Sequence, residues 1–320
     1  MVNGPMLDFH VSASPSFSLP PQACGSAGLT ALAQSAEFAR ALKALGQAPV
    51  VLPELHNSLV TTRRFASGLR LAMINRAMLP QPSQLPAALR ANGLGKTPVI
   101  LSPEHPCPAL AQIGALPLVS PACVAQLDLG NTAAQRKAAL HQKWRNRLTR
   151  AQSNGLKVSR QNMPLDARHW LLAADQVQQQ QRGYRSWPIA LTLAYAQENK
   201  GKAKLFQAFS GSEVVAAILI LRHGRGATYH IAHTTPAGKS LSAHNLLMWE
   251  AMSWLAAQGC QQLDLGLVNT EDAPGLARFK LGTGARLSQL GGTWALWLPM
   301  GRLLSPLTRW DSRLMSATSR

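Results

Sequence analysis

The chain has 320 residues, 46% of them apolar, with 32 Lys and Arg against 14 Asp and Glu, a net charge of +18. That apolar share excludes a disordered chain, and the length suits one large domain or two of about 150 residues. Charged residues make up only 14%, so the basic excess comes from missing acids and points to anionic partners: nucleic acid, acidic phospholipid or phosphate-bearing cofactors. Cys24, Cys107, Cys123 and Cys260 form no CxxC pair, which excludes a disulfide framework or a zinc site and predicts a reduced, cytoplasmic chain. No signal peptide is apparent in the first ten residues, and no run of 18 apolar residues occurs.

Residues 1–47 are rich in Ala, Ser and Pro, with one helix predicted over 29–45 and ended by Gly46. Strands are predicted at 50–52 and 98–101, and the acid-free stretch 63–79 between them carries no clear period. Helices at 83–91 and 108–113 precede strands at 116–119 and 124–129, an alternation that indicates an α/β layer. Thr132 offers an N-cap for a helix over 133–152 with Leu140, Trp144, Leu148 and Ala151 on one stripe. Arg136, Lys137, Lys143, Arg145, Arg147 and Arg150 surround that stripe.

Strands at 203–209, 214–221 and 227–234, joined by glycine turns, predict an antiparallel meander. The helix predicted over 243–258 is apolar nearly all round, with Glu250 its only charge, and must be buried against a sheet. The strand at 261–268 then runs parallel to the third meander strand, because a crossover helix of this length allows no other neighbour. A short helix at 274–281 and a hairpin turning at Gly291-Gly292 complete the order.

This order is that of the GNAT acyltransferase core. His141-Gln142-Lys143-Trp144-Arg145-Asn146-Arg147-Leu148, with Ala151 and Asn154-Gly155-Leu156, resembles the basic helix joining the two halves of Fem-like aminoacyl transferases. Arg182-Gly183, the helix over 245–259, Leu263-Asp264-Leu265-Gly266 and Phe279-Lys280-Leu281-Gly282 follow in the family's order and approximate spacing. The resemblance implies an α/β (α+β) fold of two GNAT-like halves, mixed sheets flanked by helices, the N-terminal half degenerate. Residues 1–47 are then a poorly patterned segment, 48–132 the degenerate half, 133–298 the transferase half and 299–320 a basic amphipathic tail.

The activity implied is transfer of an acyl or aminoacyl group from a thioester or ester donor to an amine by direct attack. No cofactor is bound permanently; the donor is acyl-CoA, acyl carrier protein or aminoacyl-tRNA, and nucleic acid is a partner only in the last case. The amine acceptor can be lipid-linked. Gly238, Lys239, Ser240, His244 and Asn245 stand where the family binds the donor; a helix N-terminus there offers amides to phosphate, or is an ordinary turn capped by Ser240 or Ser242. Lys280, after Phe279, is the expected cation at the reacting carbonyl, or a solvated helix lysine. Asp264 either orients or deprotonates the attacking amine, as a general base, or pairs with an arginine. Tyr229 and His233 are expected on one face of their strand, with His230 on the other; either is a candidate base. Arg182, Tyr184, Arg185 and Trp187, with Phe279, are the acceptor candidates. Tryptophan, leucine and arginine over 294–320 suit peripheral contact with the inner membrane surface, or docking onto the core. The competing reading is a non-catalytic basic protein that binds RNA or anionic membrane.

Overall fold

The computed structural model describes residues 29–300. Cys24, most of the predicted N-terminal segment and most of the basic tail therefore lie outside the described residues. Where one helix was predicted over 29–45, Ser35 divides it: a 3-10 turn at Leu32–Gln34 is followed by α1 (Ala36–Ala44), and the Ser35 hydroxyl accepts from the Phe38 amide at 3.1 Å. Strand β1 (Val50–Leu52) leads to β2 (Ser58–Arg64) and β3 (Arg70–Asn75), so the aperiodic basic stretch is an antiparallel pair. Helix α2 (Leu85–Ala91), β4 (Val99–Ser102), a 3-10 helix at Pro108–Ile113, β5 (Leu116–Val119) and β6 (Cys123–Asp128) follow closely as predicted.

The basic helix predicted over 133–152 is broken. Helix α3 (Ala133–Ala139) starts with a capping box between Thr132 and Gln135, Leu140 turns extended, and α4 (Gln142–Ser153) begins after His141, whose amide donates to the Gly282 carbonyl at 3.0 Å. The break buries both Leu140 and Trp144. Next come β7 (Lys157–Asn162), α5 (Trp170–Arg182) and α6 (Ile189–Glu198), none of which the pattern predicted. The meander is present as β8 (Ala203–Ser210), β9 (Glu213–His223) and β10 (Gly226–Thr234). Helix α7 (Pro236–Ser240), α8 (Ala243–Ala257), β11 (Gln262–Leu267), α9 (Pro274–Gly282), β12 (Arg286–Gln289) and β13 (Thr293–Leu296) complete the described chain.

Two mixed sheets result, flanked by helices: a six-stranded one ordered β1-β2-β3-β4-β13-β5 and a seven-stranded one ordered β12-β6-β11-β10-β9-β8-β7. The predicted hairpin at Gly291-Gly292 does not form. Strand β12 pairs with β6 in the large sheet, whereas β13 pairs with β4 and β5 in the small one. The glycines serve a crossing instead: a Cβ on Gly291 would stand 2.5 Å from the His105 carbonyl oxygen. Strand β6, which precedes residue 132, lies inside the large sheet, so the two sheets exchange strands across the expected boundary at 132/133. Trp294 and Leu296, expected in an interfacial tail, are core residues of the small sheet.

Strand β9 explains the layering. Ala216, Ile218 and Ile220 pack with Trp144, Leu148, Leu247, Met248 and Met252 of α4 and α8, while Ala217, Leu219 and Leu221 pack with Leu171, Leu172 and Tyr195 of α5 and α6. A strand apolar on both faces must be covered on both.

Candidate functional site

Strands β10 and β11 are parallel, as expected, but only for three residue pairs: Gly226, Ala227 and Thr228 oppose Gln262, Leu263 and Asp264. Beyond Asp264 the register of β11 against β6 shifts, and Gly266 takes φ +76°, where a side chain would strain the backbone. Strand β10 continues along β9 to Thr234. The two strands therefore part beside α8, and β10 has no β11 partner from Tyr229 onward.

A β-bulge sits at the parting, where Tyr229 opposes Ile220 but Ile231 opposes Leu219. The extra residue, His230, advances the side-chain alternation by one. Tyr229 therefore packs on the α8 side, whereas His233 lies edge-on to Trp170 of α5 with ring centroids 6.0 Å apart. The expectation that Tyr229 and His233 share a face is corrected: Thr234 is the partner of Tyr229, and His233 joins His230. His230 bonds Thr192 Oγ1 at 3.1 Å and lies 4.7 Å from the Trp187 ring. Burial pushes His230 down to about 4; burial first and then the Lys239 charge lower His233.

On the α8 side, His244 joins two hydroxyls. Its Nε2 lies 2.8 Å from the Tyr229 hydroxyl and its Nδ1 2.8 Å from Thr234 Oγ1. Burial holds this imidazole neutral, with its pKa pushed down to about 4, and raises the Tyr229 phenol well above its ordinary value. A neutral ring donates at one nitrogen and accepts at the other. The Phe279 ring stands 4.9 Å from His244 and 6.0 Å from Trp144. Phe279 is thus part of the His244 cluster and not of the acceptor group in which it was expected.

The expected donor loop is largely a structural turn. Residues 236–240 form α7, where Thr235 Oγ1 accepts from the Gly238 amide at 3.1 Å and Thr235 O from the Lys239 amide at 2.9 Å. Gly238 is buried because α7 presses on β9, and a Cβ there would meet the Val215 carbonyl oxygen at 2.1 Å. Ser240 returns its hydroxyl to the Ala237 carbonyl, and Lys239 is exposed. Gly238 and Ser240 thus take the structural role of an ordinary turn, the alternative expected for this loop. Asn245 differs: this side chain, in the first turn of α8, is 5% exposed, and its Nδ2 has no hydrogen-bond partner among the described residues.

Lys280 and Asp264 are both buried. Lys280 Nζ donates to the Leu267 carbonyl at 2.7 Å, and burial pushes the ammonium down to about 8 against the opposing pull of Asp264. Asp264 accepts from the Gly266 amide at 2.7 Å and pairs with Arg76 Nη1 at 2.6 Å. That pairing corrects Asp264 as a base: its oxygens already hold a guanidinium and the bend of β11.

On the opposite face of β10 a cavity of about 220 Å³ opens between α5 and α6. Asp175, Gln179, Arg185, Trp187, Thr192 and Ile231 line it. Arg185 and Trp187 are two of the four residues in the cluster singled out as acceptor candidates. Tyr184 reaches Asp175 through its hydroxyl at 3.3 Å, while Arg182 ends α5 in solvent. Asp175 and Gln179 escaped sequence reasoning; the signal was Leu171, Leu172 and Asp175 at helical spacing, obscured by four successive glutamines.

Residues 138–281 match the family model described as an acetyltransferase (GNAT) domain. No curated protein matches the chain. Among solved structures, FemX is similar over 86% of this chain and 94% of its own, with 12% identity and a TM-score of 0.67. The C-terminal domain of a putative lysylphosphatidylglycerol synthetase from Agrobacterium fabrum gives 12% identity, coverages of 87% and 92% and a TM-score of 0.51. L-PGS from Bacillus licheniformis gives 13%, coverages of 90% and 98%, and 0.50. At such identities the likeness is one of fold. The chain thus has the mixed α/β fold of GNAT proteins, with residues 138–281 similar to the GNAT domain model and the whole two-sheet frame similar to that of FemX.

Proposed function

We propose that the protein transfers an acyl or aminoacyl group from a thioester or ester donor to an amine by direct attack. The parting of β10 from β11 at the bulge carries this reading, because it frees one edge of β10 between the α8 side and the α5–α6 cavity. Amides on that edge can hold the donor carbonyl oxygen as charge develops on it. The first turn of α8, with Asn245 and Lys239, receives the donor's phosphate. The acceptor amine arrives from the cavity. Its lone pair forms the new C–N bond, the C–S or C–O bond to the donor breaks, and the amine surrenders one proton. Tyr229, kept protonated by burial and hydrogen-bonded to His244, supplies a proton to the leaving group. His233, on the cavity side, takes the amine's proton.

Acyl-CoA, acyl carrier protein and aminoacyl-tRNA are the donor classes to test, with lipid-linked amines among the acceptors. The assay incubates full-length protein with each labelled donor and an amine mixture. Amine-dependent release of free carrier, reduced at least tenfold by Tyr229→Phe, is the expected result. Absence of transfer from all three donors overturns the proposal.

A further inference from the structure

Four acidic side chains are buried among the described residues: Glu37, Glu104, Asp175 and Asp264. Three have cationic partners. Lys202 and Arg40 meet Glu37, and Arg76 meets both Glu104 and Asp264. Asp175, 7% exposed, has no cation within 4.0 Å among the described residues. Its carboxylate accepts only from neutral donors, Gln179 Nε2 at 2.7 Å and the Tyr184 hydroxyl at 3.3 Å. In a chain of net charge +18, a buried acid left unpaired is a departure from the rule that buried charges are paired.

The same carboxylate lines the 220 Å³ cavity, together with the Trp187 ring and the side chains of Gln176 and Gln179. Carboxylate, aromatic ring and amide groups around one void are the set that receives an alkylammonium: charge on one side, ring quadrupole on another, neutral acceptors for the remaining protons. Arg185 also lines the cavity but is exposed and forms no ion pair with Asp175.

We propose that Asp175 docks a cationic group of the acceptor, so that the substrate is a diamine or lysine-like amine whose second ammonium rests on Asp175 while the first is acylated. This rests on the transferase reading for its meaning, but the docking is measurable without any donor. Calorimetric titration of the full-length protein at low salt compares 1,5-diaminopentane with 1,5-pentanediol. The expected result is at least tenfold tighter binding of the diamine, lost in Asp175→Asn and retained in Asp175→Glu. Equal binding of diamine and diol to the unaltered protein overturns the proposal without any variant, as does diamine binding that survives Asp175→Asn. Diamine binding without acyl transfer from any donor leaves the docking site standing and removes the transferase reading instead.

Discussion

Arg76 and Asp264 meet at 2.6 Å across the junction of the two sheets. Arg76, just beyond β3, adopts φ +57° and forks onto Glu104 at 2.6 and 2.8 Å, so one guanidinium ties the small sheet and the loop after β4 to β11. Removing one member of a buried pair strands the other charge. Asp264→Asn is therefore expected to cost about 2 kcal/mol, less than the usual range because Glu104 still holds Arg76. Urea denaturation measures it, and the midpoint should fall without a change in slope.

Gly238→Ala tests the packing role of α7. A Cβ placed 2.1 Å from the Val215 carbonyl oxygen meets backbone first, with the Thr234 methyl group at 3.0 Å beside it. A loss of about 3 kcal/mol is expected, at the upper end for overpacking. Lys239→Ala, on the exposed side of the same turn, should change stability by no more than about 0.5 kcal/mol. Thermal unfolding of the two variants side by side separates a packing glycine from an exposed charge with no part in packing.

Acid should destabilise the fold between about pH 6.5 and 4. His223, His230 and His244 are each pushed by burial from 6.5 down to about 4. In that window the unfolded chain binds protons that the folded imidazoles refuse, so stability falls as pH falls. Each histidine contributes a slope approaching about 1.4 kcal/mol per pH unit. Circular dichroism melts from pH 4 to 8 should show the decline, and His230→Gln should flatten it by about one proton.

Lys280 gives the opposite end of the profile. Its ammonium is pushed from 10.5 down to about 8, so between those values the unfolded chain holds a proton that the folded one has released. Stability attributable to this residue rises with pH across that window, by about 1.4 kcal/mol per unit at most. Chemical denaturation of the protein and of Lys280→Met at pH 7.5 and 10 should show the gain in the first and its loss in the second. At neutral pH the same variant should lower acyl transfer at least tenfold, since it removes the bond that fixes Leu267 at the end of β11.

Elements buried on two sides were the most legible in the sequence. Strand β9 is a nearly continuous apolar run because helices cover both its faces, and α8 is nearly so because most of its length is buried against the sheet and α4. Strand β7, at the sheet edge and mostly exposed, carries Lys157, Ser159 and Gln161 among its residues and offers no alternation to read. Helix α5 hid behind its glutamines. Of the candidate residues, His244 was legible from its place at a loop–helix junction, Tyr229 from the strand expected to part from its neighbour, and Lys280 from its place after Phe279. The bulge at His230 left no mark in the sequence, and that one inserted residue reversed the side on which His233 lies. Gly291-Gly292 read as a turn because small residues serve a tight approach of two backbones as readily as a reversal of direction.

The exchange of β6 and β13 between the sheets makes scission at residue 132 self-defeating. The leading fragment would carry away a strand from the interior of the larger sheet, and the trailing fragment would keep the strand that fills the gap between β4 and β5. Neither piece inherits a complete hydrogen-bonded ladder. The mouth of the cavity between α5 and α6 and the ionic knot at Arg76 consequently belong to one interlaced body, which cannot be divided by cutting the chain in half.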